Sequence, residues 1–323
     1  MAQPKLSVTV PIRNEEKNIP ELHERILATC NQLKMPFEVI YVENASTDNS
    51  RTVLKSLQHA KIIILRWKPY MRKAQSLAMD AGFKAAKGDY IVYLDGDLQV
   101  APEEIPRFIK KLDEGYDVVC GWRKKRKETE KIDILAPFKN ILRGIFTFIR
   151  KRLIDEGIHD PGSAIKAFKR EALEDIDLYG EMHRFLVAIL KWQGFSITEL
   201  EVEHFPRKFG KSHYTLSKGF QGFADLLNVF IWRKYSDRPL HLFGVGGLFI
   251  FSLGILSLLV QLLLRWIGIL SLSQSIFPIL STLLIITGLQ LFLSGVVADN
   301  LSRVTFLAGK SKPYTIQEVS ENT

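Results

Sequence analysis

The segment Tyr90–Pro106, YIVYLDGDLQVAPEEIP, joins an apolar strand to two acidic residues and then to a proline that can open a helix. Its first residues are apolar or aromatic, as in a strand buried within a sheet. Asp95 and Asp97 follow, separated by Gly96. Two carboxylates this close raise each other's pKa unless a cation lies between them. The segment therefore predicts a buried strand that delivers a pair of acids to one edge of a sheet.

The same alternation of strand and helix runs through residues 1 to about 215. The predicted strands are LSVTVP, FEVIYVE, KIIILR, DYIVYLD and DVVCG. The predicted helices between them are EKNIPELHERILATCNQL, NASTDNSRTVLKSLQ, KAQSLAMDAGFKAA and PEEIPRFIKKLDEG. Such alternation predicts an α/β fold whose mostly parallel sheet is covered on both faces. Ligands of these folds bind at the carboxyl ends of the strands.

Acidic residues occupy those predicted strand ends. Glu15 follows the first strand, Glu43 ends the second, and Asp95 and Asp97 follow the fourth. No G-x-G-x-x-G follows the first strand and no G-x-x-x-x-G-K-[ST] occurs, which disfavours dinucleotide and P-loop sites. The strand ends therefore predict a site built from carboxylates.

A divalent metal would relieve the repulsion between the two aspartates. If the chain stays extended, Asp95, Asp97 and Gln99 point the same way and offer oxygen ligands suited to Mg²⁺ or Mn²⁺. An EF-hand is excluded, because Val100 replaces its glycine and Pro106 its final glutamate. So sparse a ligand set leaves coordination positions open for phosphates, which predicts a metal-bound diphosphate.

The composition indicates an anionic partner without naming it. The chain has 323 residues, a net charge of +9 and a pI near 9.4, which suits nucleic acid, acidic lipids or a phosphorylated substrate. No nucleic-acid recognition motif is present, so we expect no nucleic-acid partner. The two cysteines, Cys30 and Cys120, have no paired spacing and indicate neither a disulfide framework nor a zinc site.

Two uncharged apolar segments follow the α/β region, at residues 242–264 and 276–298. Each would span roughly 34 Å as a helix, enough to cross a bilayer core of about 30 Å. A pair of buried core helices is the alternative. The loop between them carries only Arg265 as a basic residue, whereas both outer flanks are basic, so both termini and the catalytic domain are expected in the cytoplasm. The N-terminus shows no signal-peptide pattern, in agreement with this orientation.

These patterns predict four regions. Residues 1–215 form a catalytic domain, 216–240 an amphipathic juxtamembrane segment, 241–300 two transmembrane helices and 301–323 a cytoplasmic tail. The membrane segments contain glycines that permit close helix packing. They do not decide oligomeric state, and a homo-oligomer stays open.

Five motifs in order resemble one family: VTVPIRNEEKNI, VENASTDNS, AAKGDYIVYLDGDLQ, GSAIKAF and PRKFGKSHY. With the two apolar segments, they resemble the polyisoprenyl-phosphate glycosyltransferases, the dolichol-phosphate mannose synthase-like branch of family 2 with a GT-A fold. The resemblance implies inverting transfer of a sugar from a UDP- or GDP-linked donor to a polyprenyl phosphate, such as undecaprenyl or dolichyl phosphate. It also implies Mg²⁺ or Mn²⁺ and reaction at the cytoplasmic leaflet of the lipid bilayer.

The resemblance also implies roles for individual residues. Asp95, Asp97 and Gln99 would hold the metal, and Asp160 would join the two aspartates as a catalytic carboxylate. The nucleotide-sugar pocket would contain Pro11, Arg13, Glu15, Glu43, Lys73 and Asp95. Phosphate and acceptor contacts would come from Arg123, Arg126, Arg207, Lys211, Ser212 and Tyr214. The sequence departs from the family pattern at Arg13, at ENAS in place of D-D-G-S, and at His213 in place of lysine.

The nature of the acceptor bears on Asp160. A phosphate monoester has a second pKa near 6, so its attacking oxygen is already largely deprotonated and needs no general base. Asp160 would then orient the donor sugar or nearby basic residues. A lipid acceptor with a neutral hydroxyl would instead need Asp160 as its base. A membrane-bound nucleotide-sugar-binding protein without turnover is a third interpretation.

Overall fold

The structure is a computed structural model that describes residues 3–67, 75–124, 157–178, 182–206, 239–269, 276–307 and 314–322. The chain forms two compact units. One comprises Met1–Gln221 together with Lys312–Thr323, and the other comprises Gly222–Ser311.

The first unit is the α/β unit that the sequence predicts. Its strands are β1 Leu6–Ile12, β2 Phe37–Glu43, β3 Ala60–Trp67, β4 Tyr90–Leu94, β5 Val118–Trp122, β6 Ile165–Lys169, β7 Ile197–Glu201 and β8 Tyr314–Asn322. Its helices are α1 Ile19–Gln32, α2 Ser50–Ser56, α3 Gln75–Ala85, α4 Ile105–Asp113 and α5 Leu186–Trp192. The five predicted strands and the four helices between them are all confirmed.

The described strands form one sheet in the order β7-β5-β6-β4-β1-β2-β3-β8. Strands β3, β2, β1 and β4 run parallel, and β5 is parallel to β7. Strand β6 enters antiparallel between β4 and β5. In β1 the residues from Leu6 to Val10 are at most 1% exposed, as expected of a strand covered on both faces. The prediction of a mostly parallel sheet is confirmed.

The register of this sheet brings strand ends together. Ile12, the last residue of β1, lies opposite Glu43, the last residue of β2. Thr9 of β1 lies opposite Tyr93 of β4. The chain that leaves β1, β2 and β4 therefore emerges along one edge, where parallel α/β sheets place their ligands.

A strand lies within residues 301–323, the region that the sequence predicts to be a cytoplasmic tail. Residues 314–322 form β8, which pairs antiparallel with β3 and places Val319 opposite Ile63. Glu318 of β8 accepts hydrogen bonds from Lys55 (2.6 Å) and Arg51 (3.4 Å) of α2. A β-strand at this position covers the edge of β3, whose backbone groups would otherwise be open to pairing with another chain.

The second unit contains the two apolar helices, α6 Pro239–Trp266 and α7 Phe277–Leu307. Segments Phe243–Trp266 and Phe277–Ala298 within them are long and apolar enough to cross a membrane, and only 17% of the most apolar 18-residue stretch in each is buried. Helices in the core of a soluble protein would be mostly buried, so this exposure favours membrane-spanning segments over a core helix pair. The two segments agree with the predicted spans to within two residues.

Small and polar residues line the contact between α6 and α7. A Cβ atom on Gly247 would lie 2.5 Å from the backbone nitrogen of Phe292, so these antiparallel helices approach closely at that point. Farther along, Gln261 donates hydrogen bonds to Ser281 (2.7 Å) and Ser257 (3.1 Å). Interhelical hydrogen bonds and small residues are the usual means by which membrane helices associate.

Candidate active site

The two aspartates lie in a turn that follows β4. The backbone nitrogen of Asp95 still donates to the oxygen of Ala164 (2.9 Å), but Leu98 has a φ of 56°. The backbone nitrogen of Gln99 donates to Oδ1 of Asp97 (3.2 Å). The expectation of an extended, alternating chain is therefore wrong here, because an aspartate that bonds the backbone two residues on stabilises a turn. The role of Gln99 as a metal ligand stays a prediction.

The turn places both carboxylates where they are shielded from solvent. Asp97 is 6% exposed and Asp95 is partly buried. Burial, followed by the negative charge of Asp97, raises the pKa of Asp95 to about 6. No group of three or more Asp, Glu, His or Cys side chains forms a metal cluster within the described ranges. Two mutually repelling carboxylates fit a Mg²⁺ or Mn²⁺ ion that takes further oxygens from a diphosphate.

Residues after β1 pack directly against this turn. A Cβ atom on Gly96 would lie 2.7 Å from Cδ1 of Ile12 and 3.4 Å from the backbone oxygen of Pro11. Cγ of Glu15 would lie 3.6 Å from the same atom, and the carboxylate of Glu15 accepts a hydrogen bond from Asn18 Nδ2 (2.6 Å). The structure thus places Pro11 and Glu15 against the turn that carries the aspartates, and their contact with a nucleotide stays a prediction.

The neighbouring loop after β2 contains one of the departures from the family pattern, ENAS at residues 43–46. Glu43 is 3% exposed, and its Oε1 accepts a hydrogen bond from the backbone nitrogen of Ser46 (2.5 Å). Between them Ala45 has a φ of 52°, a left-handed conformation that glycine adopts more readily. Arg13 on the adjacent loop is exposed. Contact of Glu43 and Arg13 with a nucleotide stays a prediction.

Asp160 forms a bidentate ion pair with Arg123. Oδ2 of Asp160 accepts from Nε of Arg123 (2.6 Å), and Oδ1 accepts from Nη2 (2.9 Å). Burial alone would raise the pKa of Asp160, but the hydrogen bonds and positive charge of Arg123 outweigh burial and hold that pKa below its ordinary value. The charge of Arg123 also acts on Asp95 and Asp97, so these four residues share one electrostatic environment.

The loop that carries Asp160 is itself anchored. Oε1 of Glu199 accepts hydrogen bonds from the backbone nitrogens of His159 (2.8 Å) and Asp160 (3.2 Å). The ring of His159 stacks on Trp122, with 4.3 Å between ring centroids. Asp160 therefore occupies a defined position beside Arg123.

Sequence reasoning missed three residues near the aspartates and a fourth, His183, whose ring is hydrogen-bonded to the hydroxyl of Ser76 in α3. Gln75 and Tyr93 both donate hydrogen bonds to Oδ1 of Asp95. Lys166 is 4% exposed and donates to the backbone oxygen of Ser163 (2.7 Å), and burial lowers its pKa. Burial, with the charge of Arg184, lowers the pKa of His183 to about 3, so its ring is neutral. The one available signal was a lysine inside the otherwise apolar stretch AIKAF.

The remaining predicted contacts lie outside the described residues and stay predictions. They are Lys73, Arg126, Arg207, Lys211, Ser212 and Tyr214.

Comparison with known proteins identifies the family. Residues 7–177 match the family model described as Glycosyl transferase family 2. The chain belongs to glycosyltransferase family 2.

It is 31% identical over 325 residues to dodecaprenyl-phosphate galacturonate synthase of Rhizobium johnstonii, covering 98% of this chain and 93% of that protein. It is 30% identical over 326 residues to undecaprenyl-phosphate 4-deoxy-4-formamido-L-arabinose transferase of Serratia proteamaculans, covering 98% and 94%. The resemblance to polyprenyl-phosphate glycosyltransferases is confirmed.

Solved structures support the GT-A fold of this glycosyltransferase. Glucosyl-3-phosphoglycerate synthase from Mycobacterium tuberculosis, in complex with uridine diphosphate, matches with a TM-score of 0.52 at 17% identity, covering 71% of this chain and 80% of that chain. The same enzyme in complex with Mn²⁺, UDP-glucose and phosphoglyceric acid matches with a TM-score of 0.51 at 17% identity, covering 71% and 79%.

Proposed function

We propose that this glycosyltransferase moves a sugar from a UDP- or GDP-linked donor to a polyprenyl phosphate at the cytoplasmic face of a membrane. The observation that carries the proposal is the ion pair between Asp160 and Arg123 beside the two aspartates. Relatives that match nearly the whole chain bear the names of undecaprenyl- and dodecaprenyl-phosphate enzymes. The two exposed apolar helices suit an enzyme whose acceptor lies in the bilayer.

The ion pair favours an acceptor that needs no base. With both carboxylate oxygens bound to Arg123 and a lowered pKa, Asp160 is a weak proton acceptor. A polyprenyl phosphate suits this arrangement, because its phosphate oxygen is largely deprotonated near neutral pH. A hydroxyl acceptor would have to lose a proton to a group whose proton affinity has been reduced.

Arg123 is arranged to bind a phosphate at the same time. Its Nε and Nη2 are occupied by Asp160 and by the oxygen of Gly162, but Nη1 donates no hydrogen bond to any residue that the structure describes. A guanidinium held on one side by a carboxylate presents its remaining N–H groups in a fixed direction. We infer that Asp160 orients Arg123 toward the phosphate of the acceptor or the donor.

The bond changes in the proposed reaction balance without further reactants. An oxygen of the acceptor phosphate forms a bond to the anomeric carbon of the sugar. The bond from that carbon to the diphosphate breaks, and the nucleoside diphosphate leaves with the electron pair. The family resemblance implies inversion at the anomeric carbon. Arg123 would offset negative charge as the two phosphorylated substrates approach each other.

Asp95 and Asp97 are the residues that would hold a divalent metal in this site. Their repulsion and the burial of Asp97 fit such an ion, and a structural neighbour was crystallised with Mn²⁺ and UDP-glucose. When bound, the ion would neutralise charge on the leaving diphosphate.

The test is a transfer assay on sealed membrane vesicles that contain the full chain. Radiolabelled UDP- and GDP-sugars are supplied with Mg²⁺ or Mn²⁺ and with undecaprenyl or dodecaprenyl phosphate, and label is counted in the lipid fraction. We expect a metal-dependent product from one donor in inside-out vesicles but not in right-side-out vesicles. No lipid product from any donor and acceptor would contradict the proposed function, and equal product in both orientations would contradict the cytoplasmic site.

Replacement of Asp160 by asparagine distinguishes a residue that orients Arg123 from a general base. Since Asp160 orients Arg123 and does not take a proton, we expect Asp160→Asn to lower turnover only about 10-fold, well short of the roughly 10⁴-fold upper range for loss of a general base. Asp117→Asn is the matched control, because Asp117 also pairs with a cation, Lys169 (2.9 Å), at the end of β6 that lies opposite Tyr90 and away from the turn of Asp95. A loss approaching 10⁴-fold for Asp160→Asn, with the control unchanged, would indicate a base.

A further inference from the structure

The two carboxylate oxygens of Asp95 differ in their hydrogen bonds. Oδ1 accepts hydrogen bonds from the hydroxyl of Tyr93 (2.5 Å) and from Nε2 of Gln75 (3.0 Å). Nε2 of Gln75 also donates to the hydroxyl of Tyr93 (2.6 Å), so the three side chains form a closed triangle. Oδ2 of Asp95 accepts no hydrogen bond from any part of the chain that the structure describes.

The triangle is built on rigid supports. Tyr93 is 2% exposed within β4, and its ring lies edge-on to Phe83 of α3 with 6.3 Å between centroids. Nζ of Lys166 also lies over the Tyr93 ring, 5.6 Å from its centroid. Gln75 is the first residue of α3. Strand and helix therefore both fix the direction in which Asp95 points.

We propose that Tyr93 and Gln75 are positioning residues that hold Oδ1 of Asp95 so that Oδ2 is directed to the metal–diphosphate. This inference rests on the proposed function, because it assumes that Asp95 binds the metal. Partners of a metal-binding carboxylate orient it and commonly change metal affinity by 10- to 100-fold when removed. A buried tyrosine hydroxyl also needs a partner of its own, so a purely structural role must be distinguished by experiment.

Tyrosine offers a matched pair of variants on the same strand. Tyr93→Phe removes the hydroxyl that binds Asp95, and Tyr90→Phe removes a hydroxyl that donates to Asp113 (2.5 Å), outside the site. Both changes keep the ring. Mn²⁺ binding is measured by electron paramagnetic resonance on the full chain in nanodiscs, with UDP and with GDP, and the apparent melting temperature is measured alongside.

We expect Tyr93→Phe to weaken Mn²⁺ binding about 10-fold and Tyr90→Phe to leave it unchanged. In transfer assays the Mn²⁺ concentration for half-maximal rate should rise for Tyr93→Phe while the KM for polyprenyl phosphate stays the same. A structural role alone would reduce the amount of active enzyme and leave the metal dependence unaltered, which would overturn the inference.

Gln75→Leu removes the second donor and completes a double-mutant cycle with Tyr93→Phe. Because Gln75 also holds the Tyr93 hydroxyl, the double variant should lose less Mn²⁺ affinity than the product of the two single losses. If wild type binds Mn²⁺ with UDP or GDP and both single variants bind it equally well, the positioning role is wrong and the proposed function stands. If wild type binds no Mn²⁺ with either nucleotide, the metal site fails and the inference fails with it.

Discussion

Asp97→Asn is expected to lower sugar transfer about 10³-fold, the scale seen when one group that stabilises transition-state charge is removed. The amide oxygen of asparagine can still accept the hydrogen bond that Gln99 donates to Oδ1, so the turn is preserved. What is lost is the negative charge beside Asp95, on which binding of a divalent cation between the two side chains depends. The measurement is the initial rate of lipid labelling over a range of Mg²⁺ and Mn²⁺ concentrations.

The control for Asp97→Asn is Asp113→Asn, which removes a carboxylate that accepts from Tyr90 at the end of α4. Both variants should show the same apparent melting temperature as wild type, or a slightly higher one for Asp97→Asn, because removing one of two neighbouring like charges relieves repulsion. Retention of a tenth or more of the activity by Asp97→Asn, with unchanged metal dependence, would show that Asp97 is not a metal ligand.

Deletion of residues 312–323 is expected to lower the apparent melting temperature of the α/β unit by about 5–10 °C, which corresponds to roughly 2–3 kcal/mol for a unit of this size. The deletion removes β8 and leaves β3 as an exposed edge with consecutive buried isoleucines at Ile62, Ile63 and Ile64. An open, apolar edge strand also promotes association between chains. Thermal unfolding by intrinsic fluorescence and size-exclusion chromatography in detergent would measure both effects.

Glu318→Gln separates the strand from its ion pairs. This variant keeps β8 but removes the charge that pairs with Arg51 and Lys55, whose side chains are both 42% exposed. Exposed ion pairs contribute about 0–1 kcal/mol, so the melting temperature should fall by no more than about 3 °C. A deletion variant that melts and elutes like wild type would show that β8 does not stabilise the unit.

Much of the fold could be predicted because its signals are local. Buried strands such as AKIIILRW contain continuous apolar runs, and helices between the strands carry apolar periodicity and initiating prolines. The apolar helices could be predicted from length and lack of charge alone. Strand β8 could not, because YTIQEVSEN alternates weakly and its pairing with β3 spans most of the chain.

The candidate site could be predicted in part, because some of its signals are also local in the sequence. Asp95 and Asp97 stand out because two acids directly follow an apolar strand. Their geometry could not be predicted, since the hydrogen bond between Gln99 and Asp97 turns a chain that alternation would have extended. No spacing in the sequence indicated that Gln75 and Tyr93 bind Asp95 or that Lys166 lies over the Tyr93 ring, because these contacts form only where α3, β4 and β6 meet.

The amino-acid sequence by itself determined that this protein is an α/β glycosyltransferase with two apolar helices and a pair of carboxylates at a strand end. These features depend on residue type and spacing along the chain, which are complete before folding. Only the tertiary structure decided that Asp160 binds Arg123, that one oxygen of Asp95 is held and the other left open, and that the chain end covers β3. Those contacts join residues far apart in sequence, and hydrogen bonds and ion pairs act only over a few ångströms.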